Sequence, residues 1–338
     1  MKNIDQIFEF IKNYHWRIQF LDLKKEFSNI NESTLIRNLN KLIKEEKIKK
    51  EIIWKNSFYS LFWWEFSKDY LSRPFFEREK KSYNFDFLRN YIPNKTSFLW
   101  EWYKKIEENY NQIKDISTYD YKKDIRQIEN LLIDLSYASS KLEWNTYSYL
   151  DTEVLVKYNE EAEWKTKKET QMILNHKNII KYLIEFRKKI EFDKKTFFEV
   201  HEILWKGLLL VDYLWKIRDK EVKIWGSTYT PLDNHFKLEE EFELFLEKLN
   251  NIKNPFEQSL FILVFIPYFQ IFMDINKRTS RISANIPLIK NWFAPISLLQ
   301  VKEKDYILAI LAIYELNDTS LMRDIFVNNY LLNLERYI

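Results

Sequence analysis

Asp274, Asn276, Lys277, Arg278 and Arg281 stand within eight consecutive positions of the stretch PYFQIFMDINKRTSR, residues 267–281. That set of residue types suits one task, the holding of anions. Asp274-Ile275-Asn276-Lys277 reads as a turn opening a new helix, and the free N–H groups and positive dipole end of a helix N-terminus attract negative charge. Arg278 and Arg281, three apart, share a face near that end. Two guanidinium groups over such a site suit phosphate. Asp274, just before the turn, could hold Mg²⁺ against those phosphates. From residues alone the stretch points to a nucleotide polyphosphate. A plainer reading stays open: a helix start capped by Asp274, with the arginines paired to acidic neighbours.

The elements that must position these side chains are helices. From residue 116 to 338 nearly every segment has helical periodicity, in DIRQIENLLIDLSYASSKLE, KETQMILNHKNIIKYLIEFRKKI, KTFFEVHEILWKGLLL, EEEFELFLEKLNNI, PFEQSLFILVFIPYFQIF, KRTSRISANIPLIKN and KDYILAILAIYELND. VKIWGSTYTP, residues 222–231, is β-branched and aromatic, closes on Pro231, and reads as a short hairpin between helices. Residues 1–61 read as a separate unit. IDQIFEFIKN has apolar residues at Ile4, Ile7, Phe8 and Ile11; FLDLKKEF is a second short helix. NESTLIRNLNKLIKEE puts Leu35, Ile36, Leu39, Leu42 and Ile43 on one face, with Asn31 or Ser33 as N-cap. KIKKEIIWKNSFYSL turns at Lys55-Asn56 as a hairpin would. Three helices and a hairpin make a winged helix-turn-helix, whose third helix would present Ser33, Thr34, Arg37, Asn38 and Lys41 to DNA. Residues 1–61 hold 12 Lys+Arg against 8 Asp+Glu, a mild basic bias. Docking to a protein is the other use of such a module. Residues 62–115, interrupted by Pro74 and Pro93, are too rich in apolar side chains (Phe75, Phe76, Phe85, Phe87, Leu88, Tyr91) for a free tether. They are expected to pack on the next domain.

Composition excludes several chemistries. The 338 residues contain no cysteine, so disulfides, thiolate catalysis and cysteine-type zinc sites are out. The four histidines, His15, His176, His201 and His235, have no metal-ligand spacing. The start MKNIDQIFEF lacks a signal-peptide layout, and no run of about 18 apolar residues occurs, which predicts a cytoplasmic chain with no membrane partner. One imbalance stands out: there are 2 glycines beside 12 tryptophans, where average usage would give about two dozen glycines. The abundance of Lys, Asn, Ile, Phe and Tyr suggests an AT-rich gene, which should also deplete tryptophan. Two readings follow: a core rich in tryptophan, or UGA codons read as glycine by the source organism, with positions 144, 215 and 225 the first to examine.

FMDINKRTSR resembles the signature loop of Fic (Fido-fold) proteins, His-x-Phe-x-Asp/Glu-Gly-Asn-Gly/Lys-Arg-x-x-Arg, with Phe272, Asp274, Asn276, Lys277, Arg278 and Arg281 in register. SSKLEWN, 139–145, is similar to the inhibitory-helix motif Ser/Thr-x-x-x-Glu-Gly/Asn, with Ser139 and Glu143 in register and Trp144 at the glycine. IWGSTYTP resembles the flap that positions a target side chain, with Trp225 at an expected glycine. The resemblance covers roughly 116–330. It implies an all-helical Fic domain over 116–338, with an inhibitory helix near 136–145, and AMP transfer from ATP to a protein hydroxyl. By that resemblance Asp274 would bind Mg²⁺, Asn276 and the adjacent amides the α-phosphate, and Arg278 and Arg281 the β- and γ-phosphates. Lys277 would belong to the same phosphate site. Glu143 would pair with Arg281 at rest and exclude the γ-phosphate, and Ser227, Thr228 and Tyr229 would line the target strand. Fic proteins often dimerise, but no surface in the sequence identifies an interface, and a homodimer stays open.

Two departures accompany the match. Gln270 stands where the general-base histidine is expected, and an amide cannot accept that proton near pH 7. Ile275 stands at the first loop glycine, where a side chain restricts close approach of backbone to phosphate. His201 reads as a helix-packing residue, and His235, near the flap, is the other candidate for a displaced base. Two functions follow: an adenylyltransferase-type nucleotide-binding protein restrained by Glu143 and weakened or inactivated by Gln270, or a DNA-binding regulator whose Fic domain senses nucleotide or a partner without chemistry.

Overall fold

The computed structural model describes residues 3–13, 18–45, 47–53, 56–61, 63–99, 125–208 and 213–336. The chain divides into two compact units, Met1–Arg78 and Glu79–Ile338. Residues 100–115 of the expected connector, together with His15 and Lys55, lie outside the described residues. Among the described residues no helix is long and apolar enough to cross a membrane.

In the first unit helix α1 (Asn3–Asn13) is followed by strand β1 (Ile18–Gln19), helices α2 (Phe20–Glu26) and α3 (Glu32–Lys44), strands β2 (Ile48–Ile53) and β3 (Asn56–Leu61), and helix α4 (Trp63–Ser72). The antiparallel sheet has the order β1-β3-β2, with Ile18 opposite Tyr59 and Lys50 opposite the same residue from the other side. Three helices precede the β2–β3 hairpin, and β1 adds a third strand to it. Ile7, Ile11, Leu23, Leu35, Leu39, Leu42, Ile48 and Tyr59 form its core. Helix α3 starts where Asn31 accepts from the Ser33 N–H at 3.0 Å, a cap that answers one orphan donor of the first turn. Ile36, grouped with the core by its spacing, instead lies 39% exposed, because the buried stripe runs through Leu35, Leu39 and Leu42.

Among its described residues the second unit is helical apart from two short strands. Strand β4 (Lys81–Ser82) and helix α5 (Phe85–Arg89) are followed by α6 (Ile125–Lys141), α7 (Tyr149–Tyr158), α8 (Lys167–Phe186), α9 (Lys194–Trp205), strand β5 (Tyr229–Thr230), α10 (His235–Asn251), α11 (Pro255–Phe269), α12 (Asn276–Ser283), α13 (Ile286–Lys290), α14 (Glu303–Leu316) and α15 (Ser320–Arg336). Helix α11 is buried from Phe256 to Phe269. Its sequence is apolar on nearly every side, which makes it the central helix around which the others pack. Residues from the connector region do pack here: the rings of Phe87 and Tyr91 lie 4.9 and 4.7 Å from those of Phe265 and Phe261. Phe75 and Phe76 are exposed.

The segment 222–231 is not a hairpin. Its one strand, β5, pairs in parallel with β4, Lys81 opposite Tyr229 and Ser82 opposite Thr230. The remainder of 222–231 has no partner strand within itself because Gly226, at φ 74°, turns the chain into a loop. KRTSRISANIPLIKN, read as one helix, is two, α12 and α13, since Pro287 cannot continue the hydrogen-bond ladder across Ala284-Asn285.

Candidate functional site

The loop from Gln270 to Ile275 joins α11 to α12. Gln270 ends α11 in the left-handed region (φ 49°). Its amide is fully engaged: Nε2 donates to Pro267 O at 2.8 Å and to the Tyr314 hydroxyl at 2.9 Å, while Oε1 accepts from Asn276 at 3.2 Å. Asn276 also closes the loop on itself, accepting from the Phe272 N–H and donating to the Phe272 carbonyl. The loop is thus braced by two amides. Ile275, the residue before α12, holds φ 68°, an outlier for a β-branched residue. Asp274 is exposed, and its Oδ1 accepts from the Ile275 N–H at 2.6 Å. No side chain caps the first turn of α12.

The arginines of α12 face different surroundings. Arg281, 3% exposed, donates from Nε to Ser139 Oγ (3.0 Å), from Nη2 to Ser139 O (3.0 Å) and Glu143 Oε1 (2.8 Å), and from Nη1 to the Tyr306 hydroxyl (3.1 Å). Glu143 also lies 4.0 Å from Lys277. Burial pushes the Glu143 carboxyl up, but Arg281, Lys277 and Arg278 together outweigh it and hold it below its ordinary value. Arg278, 6% exposed, leaves Nε and Nη1 buried with no hydrogen-bond partner. Burial pulls its guanidinium below the usual range. Buried charged donors left unpaired are costly, so this arginine fits a group that arrives carrying negative charge.

Ser139 is itself held from behind. His176 Nδ1 lies 2.7 Å from Met172 O and must donate there, so Nε2 is the acceptor for the Ser139 hydroxyl at 2.9 Å. A directed chain results, from Arg281 through Ser139 and His176 to the backbone of α8. Burial drives the His176 pKa down to about 3, and Arg278 and Arg281 add to the effect. His201, read as a packing residue, does stack on Phe272 with ring centres 3.8 Å apart, and its Nε2 also lies 3.1 Å from the Asp274 carbonyl. His235 is tied at 3.0 Å to the Arg218 carbonyl.

Two residues without a sequence signal complete the frame. Arg218, 1% exposed, sends its guanidinium to the carbonyls of Gln270, Lys220 and Leu232. It ties the loop before α12 to the segment around 222–231. Tyr306 stands beside Arg281. In that segment Ser227 donates to Glu315 at 2.8 Å, Thr228 donates to Glu79 O at 2.8 Å, and buried Tyr229 donates to Tyr268 O at 2.8 Å. All three side chains bond into the domain, and so does backbone between them: the Thr228 N–H donates to Glu315 and the Thr228 carbonyl accepts from the Lys81 N–H.

In the first unit Ser33, Arg37 and Lys41 are exposed and Thr34 and Asn38 half-buried, while Lys41 and Lys47 lie 3.8 and 3.0 Å from Glu45. Among the described residues no group of three His, Cys, Asp or Glu side chains converges as a metal site.

Residues 191–288 match the model of the Fic/DOC family. Solved structures similar in fold include Fic-1 (residues 134–508) from C. elegans, at 15% identity over 68% of this chain and 71% of that one, TM-score 0.56. A Fic domain containing signaling protein from Bacteroides thetaiotaomicron matches at 15% identity over 69% and 94%, TM-score 0.57. A Fic family protein from Desulfovibrio desulfuricans matches at 16% over 73% and 76%, TM-score 0.58. A search of curated proteins finds no match.

Proposed function

We propose that this chain, whose residues 191–288 form a Fic/DOC domain, binds ATP with Mg²⁺ at the start of α12 and is held at rest by Glu143. Members of the family typically transfer AMP or another nucleotide group to proteins. The observation that carries the reading is the contrast between two neighbouring arginines. Arg281 is clamped by Glu143 and Ser139, whereas buried Arg278 keeps two donors unpaired. Arg278, Lys277 and the first-turn amides of α12 would hold the phosphates, with Arg281 joining when Glu143 leaves. Asp274 would hold Mg²⁺, which would neutralise phosphate charge there. As the carboxylate at hand, Asp274 fits an ion that takes most of its ligands from phosphate and water.

Proton abstraction is where this site falls short. Gln270 cannot act as a base, and its amide is bonded on both ends. Loss of a general base typically costs roughly 10²- to 10⁴-fold in rate. The Tyr314 hydroxyl beside it offers no substitute, since burial pushes its pKa well above 10. The reading is therefore a nucleotide-binding Fic domain without efficient transfer. The exposed Ser33, Arg37 and Lys41 on α3 favour a DNA-binding role for the first unit, with the Fic domain as its nucleotide sensor.

The test is equilibrium binding of Mg-ATP to the native chain and to Glu143→Gly, followed by labelling with ATP radioactive at the α-phosphate. Removing a competing carboxylate should tighten ATP binding by about tenfold, within the usual range of intramolecular couplings. Label should appear only when Gln270→His is combined with Glu143→Gly. Equal affinities would sink the inhibitory role, and label on Glu143→Gly alone would show that a base stands elsewhere.

A further inference from the structure

Four tryptophans, Trp144, Trp164, Trp215 and Trp292, hold φ between 57° and 64°. Only a few per cent of non-glycine residues lie there, with Asn, Asp and His enriched. Among the described residues no phenylalanine or tyrosine does so, although Phe and Tyr together far outnumber Trp in this chain. An aromatic side chain as such is therefore not what this backbone tolerates.

The hydrogen bonds at two of these sites define what belongs there. After α6, Asn145 N–H donates to Ser140 O and Trp144 N–H to Lys141 O. After α13, Phe293 N–H donates to Leu288 O and Trp292 N–H to Ile289 O. Each is the paired closure of a Schellman helix end, and each puts tryptophan in the left-handed slot normally filled by glycine, sometimes by asparagine. Elsewhere in the unit, Asn159 and Asn317 hold that conformation after α7 and α14. Burial tells the same story. Trp164 is 98% exposed and Trp144 70%, an unusual position for the largest apolar side chain. By contrast Trp205 is 2% exposed, helical, and packed 5.0 Å from His201.

We infer that the native protein carries glycine at 144, 164, 215 and 292, through UGA codons its own cells read as glycine, and true tryptophan at 205. Trp225, 97% exposed beside Gly226, joins the four on exposure alone. The excess of tryptophan and part of the deficit of glycine then have one cause. The substitution also bears on the restraint: a residue without Cβ at 144 ends α6 without strain immediately after Glu143, whereas a chain made with tryptophan there strains the turn that delivers that carboxylate to Arg281.

Tandem mass spectrometry of peptides from the protein isolated from its own cells decides the matter. Glycine at 144, 164, 215 and 292 with tryptophan at 205 is the expected result. Tryptophan at the four sites, or UGG codons there in the gene, overturns it, and so does glycine at 205. As a second measurement, recombinant chains bearing either residue at all four sites are compared by thermal unfolding. The glycine chain should melt at the higher temperature, and an equal or lower midpoint counts against the inference. None of these outcomes depends on whether the site binds ATP.

Discussion

The clamp on Arg281 depends on one proton being absent. His176 accepts from Ser139 only while its Nε2 is bare, and burial, with Arg278 and Arg281 close by, holds the ring neutral by lowering its pKa from 6.5 to about 3. Burial likewise lowers His201 to about 4. The sign follows from linkage. Below about pH 6.5 the unfolded chain takes up protons at both rings while the folded chain does not, so stability is complete above that value and is lost as pH falls toward 4. Glu143, with its pKa lowered, adds a loss of the same sign lower down, through the carboxylate range. Thermal unfolding measured from about pH 7 to pH 4.5 should therefore show a falling midpoint that steepens below 6.5. In a His176→Asn chain the fall should be shallower; an unchanged slope would mean that His176 is not held neutral. Ser139→Ala should cost about 1–3 kcal/mol in denaturant titrations, because it strips a partner from both His176 and Arg281 in a buried place.

Arg218 shows how an element without a motif can fix one that has a motif. Among the described residues its guanidinium bonds to carbonyl oxygens, from Gln270, Lys220 and Leu232. It is therefore a cross-brace between the loop before α12 and the segment 220–232. Replacing it by methionine keeps much of the volume but leaves three carbonyls unanswered. Roughly 3 kcal/mol or more should be lost in denaturant unfolding, and Mg-ATP affinity should fall with it. Retained affinity with lowered stability would limit the brace to folding. The contrast with what the sequence made legible is instructive. The helices over 125–141, 167–186, 194–205, 235–251 and 255–269 are written in apolar spacing and capping residues, and so is α3 with its Asn31 cap. The clustering of Arg281 with Ser139 and Glu143 was legible from motif resemblance. Arg218, Tyr306 and His176 were not, because each reaches the site through a contact 25 or more positions away in sequence, to Gln270, Arg281 and Ser139 respectively, where no local spacing carries a signal. The parallel pairing of β5 with Lys81–Ser82 escaped for the same reason: a two-residue strand has no periodicity of its own, and its partner lies 148 positions back. Helices α7 and α15 were also missed, the first because its apolar stripe is weak and the chain around it is charged.

At the scale of the molecule, the chain joins a unit with a core of its own to a unit in which residues 191–288 match the Fic/DOC model, and the two proposed functions separate by experiment. The first unit places Ser33, Arg37 and Lys41 on the exposed side of α3, and Lys49 and Lys50 on the strand after it. If α3 meets DNA, phosphate contacts dominate the affinity and release counterions, so affinity falls with salt. Each lysine that meets a phosphate contributes about 0.9 to the slope of log affinity against log salt. Changing Lys41, Lys47, Lys49 and Lys50 to glutamine in the full chain should weaken DNA binding and lower that slope, by less than four full contacts' worth. Lys41 and Lys47 already share Glu45, and their charge is partly answered within the protein. Mg-ATP affinity in the same variants should stay as in the native chain, since every residue assigned to phosphate lies in the second unit. An unchanged salt slope in the fourfold variant would reassign the first unit to protein docking and leave the nucleotide site untouched.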